Sequence, residues 1–136
     1  MKAKKSLGQN FLHNKDTLEF IINELNFSRD DIVVEIGGGT GNLTKHLIKE
    51  NGINLNIIEL DDDLVARLKI LLGYTAKVIK SDILEYPLDF SENIIIVGNI
   101  PYYITKPIIK HLYKYREYIK RAILMVQYEV AKAFTA

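Results

Sequence analysis

The stretch Asp31–Thr44, DIVVEIGGGTGNLT, restricts the folds open to this chain more than any other feature. Ile32, Val33, Val34 and Ile36 form a short β-branched run that reads as a buried strand. Gly37, Gly38, Gly39 and Gly41 follow directly after Glu35-Ile36, and a helical pattern starts near Asn42. A strand, a glycine turn and a helix in that order put the turn at the carboxyl end of a parallel sheet, where nucleotide-like ligands bind. Glycine suits that place for two reasons: a side chain would block the approach of backbone to ligand, and it would forbid positive φ. By itself the run also reads as a plain tight turn.

The rest of the chain repeats the alternation. Asp16 is placed to cap a helix running to about Asn26, with Leu18, Ile21, Ile22 and Leu25 on one face. Leu43, Leu47 and Ile48 give the helix after the glycine turn its apolar stripe, and Asn51-Gly52 ends it. Strands are expected at Leu55–Leu60, Ala76–Ile79, Asn93–Val97 and Ala122–Val126. Helices are expected over Leu64–Leu72, from about Thr105, and from near Gln127; Pro107 is tolerable in a first helical turn. This predicts an α/β fold, a parallel sheet in the order 3-2-1-4-5 with helices on both faces and a ligand crevice between strands 1 and 4. With 136 residues and a 48% hydrophobic share, the chain has enough for one core and one domain, residues 1–136.

Two acids stand at the ends of successive strands. Glu59 closes the second strand, 22 residues after Gly37, where a doubly wound fold places the acid that holds ribose hydroxyls. Asp61, Asp62 and Asp63 beside it read as charges capping the next helix. Asp82, just past the third strand, reads alone as a turn residue. Taken with Gly37 and Glu59, it reads as an acceptor for an adenine amino group. The glycine spacing is G-x-G-x-G, not the G-x-G-x-x-G that sets a helix N-terminus against a pyrophosphate. A nucleoside ligand without phosphate, such as S-adenosyl-L-methionine, fits it better.

Composition excludes several other chemistries. There is no cysteine, so no disulfide framework and no thiolate nucleophile. His13, His46 and His111 do not form a metal-ligand spacing, and no metal is expected. No apolar run approaches a membrane span and MKAKKSLGQN lacks a signal-peptide core, so a cytoplasmic protein without membrane contact is expected. The net charge is +1 but unevenly spread: residues 1–105 carry 11 Lys+Arg against 15 Asp+Glu, and residues 106–136 carry 7 against 2. The basic surplus toward the carboxyl end points to an anionic partner.

The sequence Gly98-Asn99-Ile100-Pro101-Tyr102-Tyr103 follows the fourth strand and so faces the same crevice. An exocyclic amine of a base is a poor nucleophile, because its lone pair is delocalised into the ring. The Asn99 side-chain oxygen and a neighbouring backbone carbonyl can accept its two N–H bonds, with Pro101 constraining the backbone that presents the carbonyl. Tyr102 would stack on a target base taken out of its helix. The competing reading is an Asn-Pro-type turn with two core tyrosines.

These pieces together resemble a known family, the ribosomal RNA adenine dimethyltransferases of the KsgA type, related to the Erm resistance methylases. The resemblance rests on SLGQNFL (6–12), EIGGGTGNLT (35–44), IIELD (57–61), SDIL (81–84), GNIPYYIT (98–105) and MVQYEVA (125–131). It implies a Rossmann-like class I methyltransferase that uses S-adenosyl-L-methionine to dimethylate adenosines of small-subunit ribosomal RNA. It further implies that Asn10 and Leu12 fold over the methionine end of the cofactor, with Gln9 also in that site. Gly37 and Gly39 would pack beside the cofactor, Glu59 and Leu60 would meet the ribose, Asp82 and Ile83 the adenine, and Asn99 would lie next to the transferred methyl. Family members continue into a sixth and seventh strand and a small helical domain. The chain is therefore expected to be a monomeric piece of a longer enzyme, with the fifth strand an exposed edge.

Lys106, Lys110, Lys114 and Arg116, together with Lys120 and Arg121, surround the chemical loop and are expected to meet RNA phosphates, though a charge run alone reads equally as a solvated face. Other functions remain open at this point: an Erm-type large-subunit methylase, a DNA adenine methylase, or a non-catalytic RNA-binding derivative.

Overall fold

The computed structural model describes residues 15–39 and 41–126. Within them run α1 (Lys15–Leu25), β1 (Ile32–Ile36), α2 (Asn42–Leu47), β2 (Leu55–Glu59), α3 (Asp62–Leu72), β3 (Lys77–Lys80), β4 (Ile94–Asn99), α4 (Thr105–Lys114) and β5 (Ile119–Met125). Single 3-10 turns occupy Ile83–Glu85, Tyr102–Ile104 and Arg116–Tyr118. The strands form one sheet in the order β3-β2-β1-β4-β5, every pair parallel, which is the order expected from the sequence. Gln9, Asn10 and Leu12, with the rest of SLGQNFL, lie outside the described residues, as does the helix expected from Gln127.

Apart from Glu35, strand β1 is apolar without alternation because both of its faces are covered. Val33 faces a layer made by Leu18, Ile21 and Leu25 of α1, Leu43 and Leu47 of α2, and Leu68 and Leu72 of α3. Val34 and Ile36 face the opposite layer, closed by Ile108 and Leu112 of α4 and by Leu88. Each fully buried leucine or isoleucine contributes about 1.5–3 kcal/mol relative to exposure. The two layers grip the central strands and hold the ends of β1, β2, β3 and β4 at one edge of the sheet.

Some boundaries differ from expectation, each for a local reason. Asp16 lies inside the first turn of α1, since the helix already includes Lys15. Helix α2 stops at Leu47, ahead of the Asn51-Gly52 turn, where Gly52 takes φ +81°. Strand β3 is displaced by one residue to Lys77–Lys80. Strand β4 continues through Gly98 and Asn99, because Gly98 still pairs with Ile36 on one side and Leu124 on the other.

Strand β5 begins three residues before the expected Ala122, and it takes in two cations. The register against β4 slips between Ile94↔Ile119 and Ile95↔Arg121, so Lys120 is the extra residue of a bulge. The bulge turns its ammonium to the carboxylate of Asp31, at 2.9 and 3.0 Å. Arg121 donates to the carbonyls of Leu25 and Asn26. Both cations therefore fasten β5 to the turn between α1 and β1. That corrects the expectation that they serve RNA phosphates.

Candidate active site

The site grows from the register of the central strands. Ile36 of β1 stands directly across from Gly98 of β4. A Cβ on Gly98 would come 3.0 Å from the Ile36 carbonyl oxygen and 3.1 Å from the Ile36 Cβ. Neighbouring strands lie about 4.8 Å apart. The next residue on each strand, Gly37 and Asn99, thus opens one of the two expected loops, side by side.

The glycines of the turn divide the work. Gly37 and Gly39 have φ of +70° and +54°, and a Cβ on either would meet no described residue within 4 Å. Gly38 has the opposite surroundings: a Cβ would fall 2.5 Å from Leu68 Cδ1 and 3.1 Å from Ile57 Cγ2. Its missing side chain lets the turn settle onto β2 and α3.

Glu59, buried at the end of β2, does more than the sequence suggested. One carboxylate oxygen accepts the Gly39 amide at 3.2 Å and the other accepts the Asp61 amide at 3.0 Å. It thereby ties the glycine turn to the neighbouring strand, and each oxygen keeps lone-pair capacity for a hydroxyl. Leu60 beside it is 59% exposed, an apolar surface at the rim. Asp61 caps α3 through the amides of Asp63 and Leu64, as expected. Asp82 caps the turn at Ile83–Glu85 by accepting the Leu84 amide at 2.9 Å through one oxygen. No described residue uses its second oxygen. Ile83 is buried and packs in the layer that contains Ile58 and Ile100.

The second loop is rigid at its base. The Ile100 amide donates to the Met125 carbonyl at 2.9 Å and the Ile100 side chain is buried. The Pro101 carbonyl accepts from both the Ile104 amide, at 3.2 Å, and the Thr105 hydroxyl, at 2.9 Å. It is therefore occupied, whereas no described residue donates to the Ile100 carbonyl. Asn99 is exposed. Tyr102 and Tyr103 are 48% and 74% exposed and meet edge to face at 5.8 Å, so neither is a core tyrosine.

Beyond the loop, Lys106, Lys110 and Lys114 recur every four residues along α4 and are all exposed, so they form one stripe about 12 Å long. Arg116 follows the far end of the helix, at the opposite edge of the sheet from the loop. Its guanidinium lies 4.2 Å from the Tyr113 ring and it donates to the Tyr113 carbonyl at 3.0 Å.

Sequence reasoning passed over Glu35 except as the residue before the turn. It is 2% exposed within β1, and Thr44 donates to it at 2.5 Å. The signal was an acid inside an otherwise unbroken apolar strand, IVVEI. An open groove of about 530 Å³ between Ile53–Asn56 and Gly73–Lys77 lies at the opposite edge of the sheet and contains no carboxylate. Among the described residues no cluster of His, Cys, Asp and Glu could hold a metal. No described helix is long and apolar enough to cross a membrane.

Comparison with known proteins agrees with this geometry. A family model described as ribosomal RNA adenine dimethylase matches residues 1–136. A curated relative, the ribosomal RNA small subunit methyltransferase A of Latilactobacillus sakei, is 41% identical over 99% of this chain and 48% of its own length. The crystal structure of a dimethyladenosine transferase from Plasmodium falciparum aligns with a TM-score of 0.74 at 31% identity, over 90% of this chain and 45% of that one. The 23S rRNA methyltransferase ErmE aligns with a TM-score of 0.76 at 27% identity, over 88% of this chain and 48% of that one. The chain spans about half the length of the curated relatives it matches. It has the Rossmann-like fold of the S-adenosylmethionine-dependent methyltransferases, and it belongs to the ribosomal RNA adenine dimethylase family.

Proposed function

We propose that this chain carries the S-adenosyl-L-methionine site and the amine-binding loop of an enzyme that dimethylates adenosines in small-subunit ribosomal RNA. The observation that carries this reading is the pairing of Ile36 with Gly98, which opens the glycine turn and an Asn-Ile-Pro-Tyr loop on adjacent strand ends. The fit to the cofactor rests on the room that the described residues leave at Gly37 and Gly39 and on the spare lone pairs of Glu59. Gly37 and Gly39 would admit the cofactor against bare backbone, Glu59 and Leu60 would hold its ribose, and Asp82 and Ile83 its adenine. Gln9, Asn10 and Leu12 would cover its methionine end. When bound, the cofactor supplies a methyl group on a positively charged sulfur.

The remaining work falls to the second loop. The Asn99 side-chain oxygen and the Ile100 carbonyl, to which no described residue donates, would accept the two N–H bonds of the target amine, which turns its lone pair out of conjugation with the ring. Pro101 helps by fixing φ, and the occupied Pro101 carbonyl keeps the turn from relaxing. Tyr102, exposed at the loop, would stack on the extruded adenine; such stacking is worth about 1–3 kcal/mol per base. Lys106, Lys110 and Lys114 would track the RNA phosphates away from the loop, with Arg116 beyond the far end of that stripe.

The small subunit is preferred as target because the curated relatives at 36–41% identity carry the name ribosomal RNA small subunit methyltransferase A. The structural likeness to ErmE keeps an Erm-type large-subunit target as a second reading. The test is Asn99→Ala, assayed on immature small and large ribosomal subunits. Methyl transfer to the small subunit should be lost while calorimetry still shows S-adenosyl-L-methionine binding. Transfer at the wild-type rate would refute the role of Asn99, and transfer only to the large subunit would move the chain to the second reading.

A further inference from the structure

Glu35 is a buried acid that the proposed reaction does not use. Its lateral neighbours in the sheet are Ile57 of β2 and Val97 of β4, both 0% exposed. Its one described polar contact is the Thr44 hydroxyl, 2.5 Å away on α2. This contact joins the strand two residues before Gly37 to the helix that the turn leads into, so it closes the turn at its base. Among the described residues the charged groups around it are few. Glu59 of β2 acts on it and at the same time holds Gly39. On α2, Lys45 is exposed, and the His46 ring engages the Asn42 carbonyl. Burial pushes the Glu35 carboxyl up to about 8, with the Thr44 bond opposing and the Glu59 charge adding to the rise.

Among the described residues an ionised Glu35 would have a single hydroxyl to solvate it in an apolar layer. It would also repel Glu59, whose bond to Gly39 fastens the turn beside the bond from the Gly37 amide to the Ile58 carbonyl, 2.7 Å. Water would have to enter or the turn would have to open. We propose that Glu35 is a positioning residue for the glycine turn: as the neutral acid against Thr44 it holds α2 to β1, and loss of its proton to water loosens the turn and weakens nucleoside binding. The inference rests on the reading of the turn as a nucleoside site.

The probe is 5′-deoxy-5′-methylthioadenosine, a nucleoside thioether that lacks the amine and carboxyl of a methionine moiety and has no group that titrates in this range. Its binding to the full chain is measured by calorimetry from pH 6.5 to 9.5, for wild type, Glu35→Gln and Thr44→Val. Wild-type affinity should hold at neutral pH and then fall by up to about tenfold per pH unit above about 8. Glu35→Gln keeps a neutral hydrogen-bonding group and should show a flat profile. Thr44→Val should weaken binding already at pH 7. A flat wild-type profile, or a Glu35→Gln profile that falls in parallel with wild type, overturns the inference while leaving the nucleoside site standing. No binding at any pH in any of the three proteins overturns the nucleoside site and the inference with it.

Discussion

Replacing Lys120 with methionine separates two roles that the sequence alone could not tell apart. Asp31 is 1% exposed, and its carboxylate accepts from Lys120 at 2.9 and 3.0 Å and from the Ser28 amide at 2.8 Å. Burial alone would raise the pKa of this carboxyl, but the Ser28 and Lys120 bonds outweigh it and hold the group below its ordinary value of 3.8. Lys120→Met leaves a buried carboxylate with Ser28 alone among the described residues, through its amide and its side chain. Removing one partner of a fully buried pair costs about 3–5 kcal/mol, and the 36% exposure of the Lys120 side chain lets water recover part of it, so about 2 kcal/mol is expected. For a domain of this size that is a fall in Tm of about 5–10 °C.

The pH dependence supplies the sharper test. In wild type the depressed Asp31 contributes stability above its unfolded value, and this is lost as pH falls through the folded value, below 3.8. In Lys120→Met both lowering contributions of Lys120 are gone, so the folded value rises relative to wild type and the ionised carboxyl is held less firmly. The gap between the two proteins in urea unfolding should therefore be full at pH 7 and narrow as pH falls below 3.8. A gap that does not narrow as pH falls below 3.8 refutes the ion-pair argument. Equal stability at pH 7 with weaker RNA binding would restore Lys120 as a phosphate ligand.

The other expectations concern the crevice and its approach. Gly98→Ala puts a methyl 3.0 Å from the Ile36 carbonyl, so β1 and β4 must part by a few tenths of an ångström; it should cost about 1–3 kcal/mol in denaturant unfolding and lower methyl transfer more than cofactor affinity. Lys106→Glu, Lys110→Glu and Lys114→Glu combined should leave thermal stability nearly unchanged, since all three are exposed. The same triple change should reduce RNA affinity and flatten its salt dependence by about 0.7 in log-log slope for each phosphate left without its lysine. An unchanged salt slope would make the stripe an ordinary solvated face.

Much of this architecture could be read from residue order. IVVEI, LNIIE and NIIIV announce strands covered on both faces, and the glycine run between the first of them and a helix places the crevice before any coordinates are known. The end of each strand carries its own marker, Gly37, Glu59, Asp82 and Asn99, because side-chain chemistry at a strand end is legible from periodicity. The charge run after the loop was less legible. Lys106, Lys110 and Lys114 are exposed, while Lys120 and Arg121, only a few residues on, are consumed by Asp31 and by the carbonyls of Leu25 and Asn26.

The local order of apolar, glycine and polar residues was enough to determine the parallel sheet, its strand order and the two loops that meet at β1 and β4. Partners distant in sequence were decided only by tertiary structure: the bulge that swings Lys120 onto Asp31, the clasp of Glu59 on Gly39, and the apolar layer around Glu35. The reason is physical. Secondary structure follows from the spacing of a residue's near neighbours. The state of a charge follows from what is brought within a few ångströms by the fold, and that is not written in the neighbours at all.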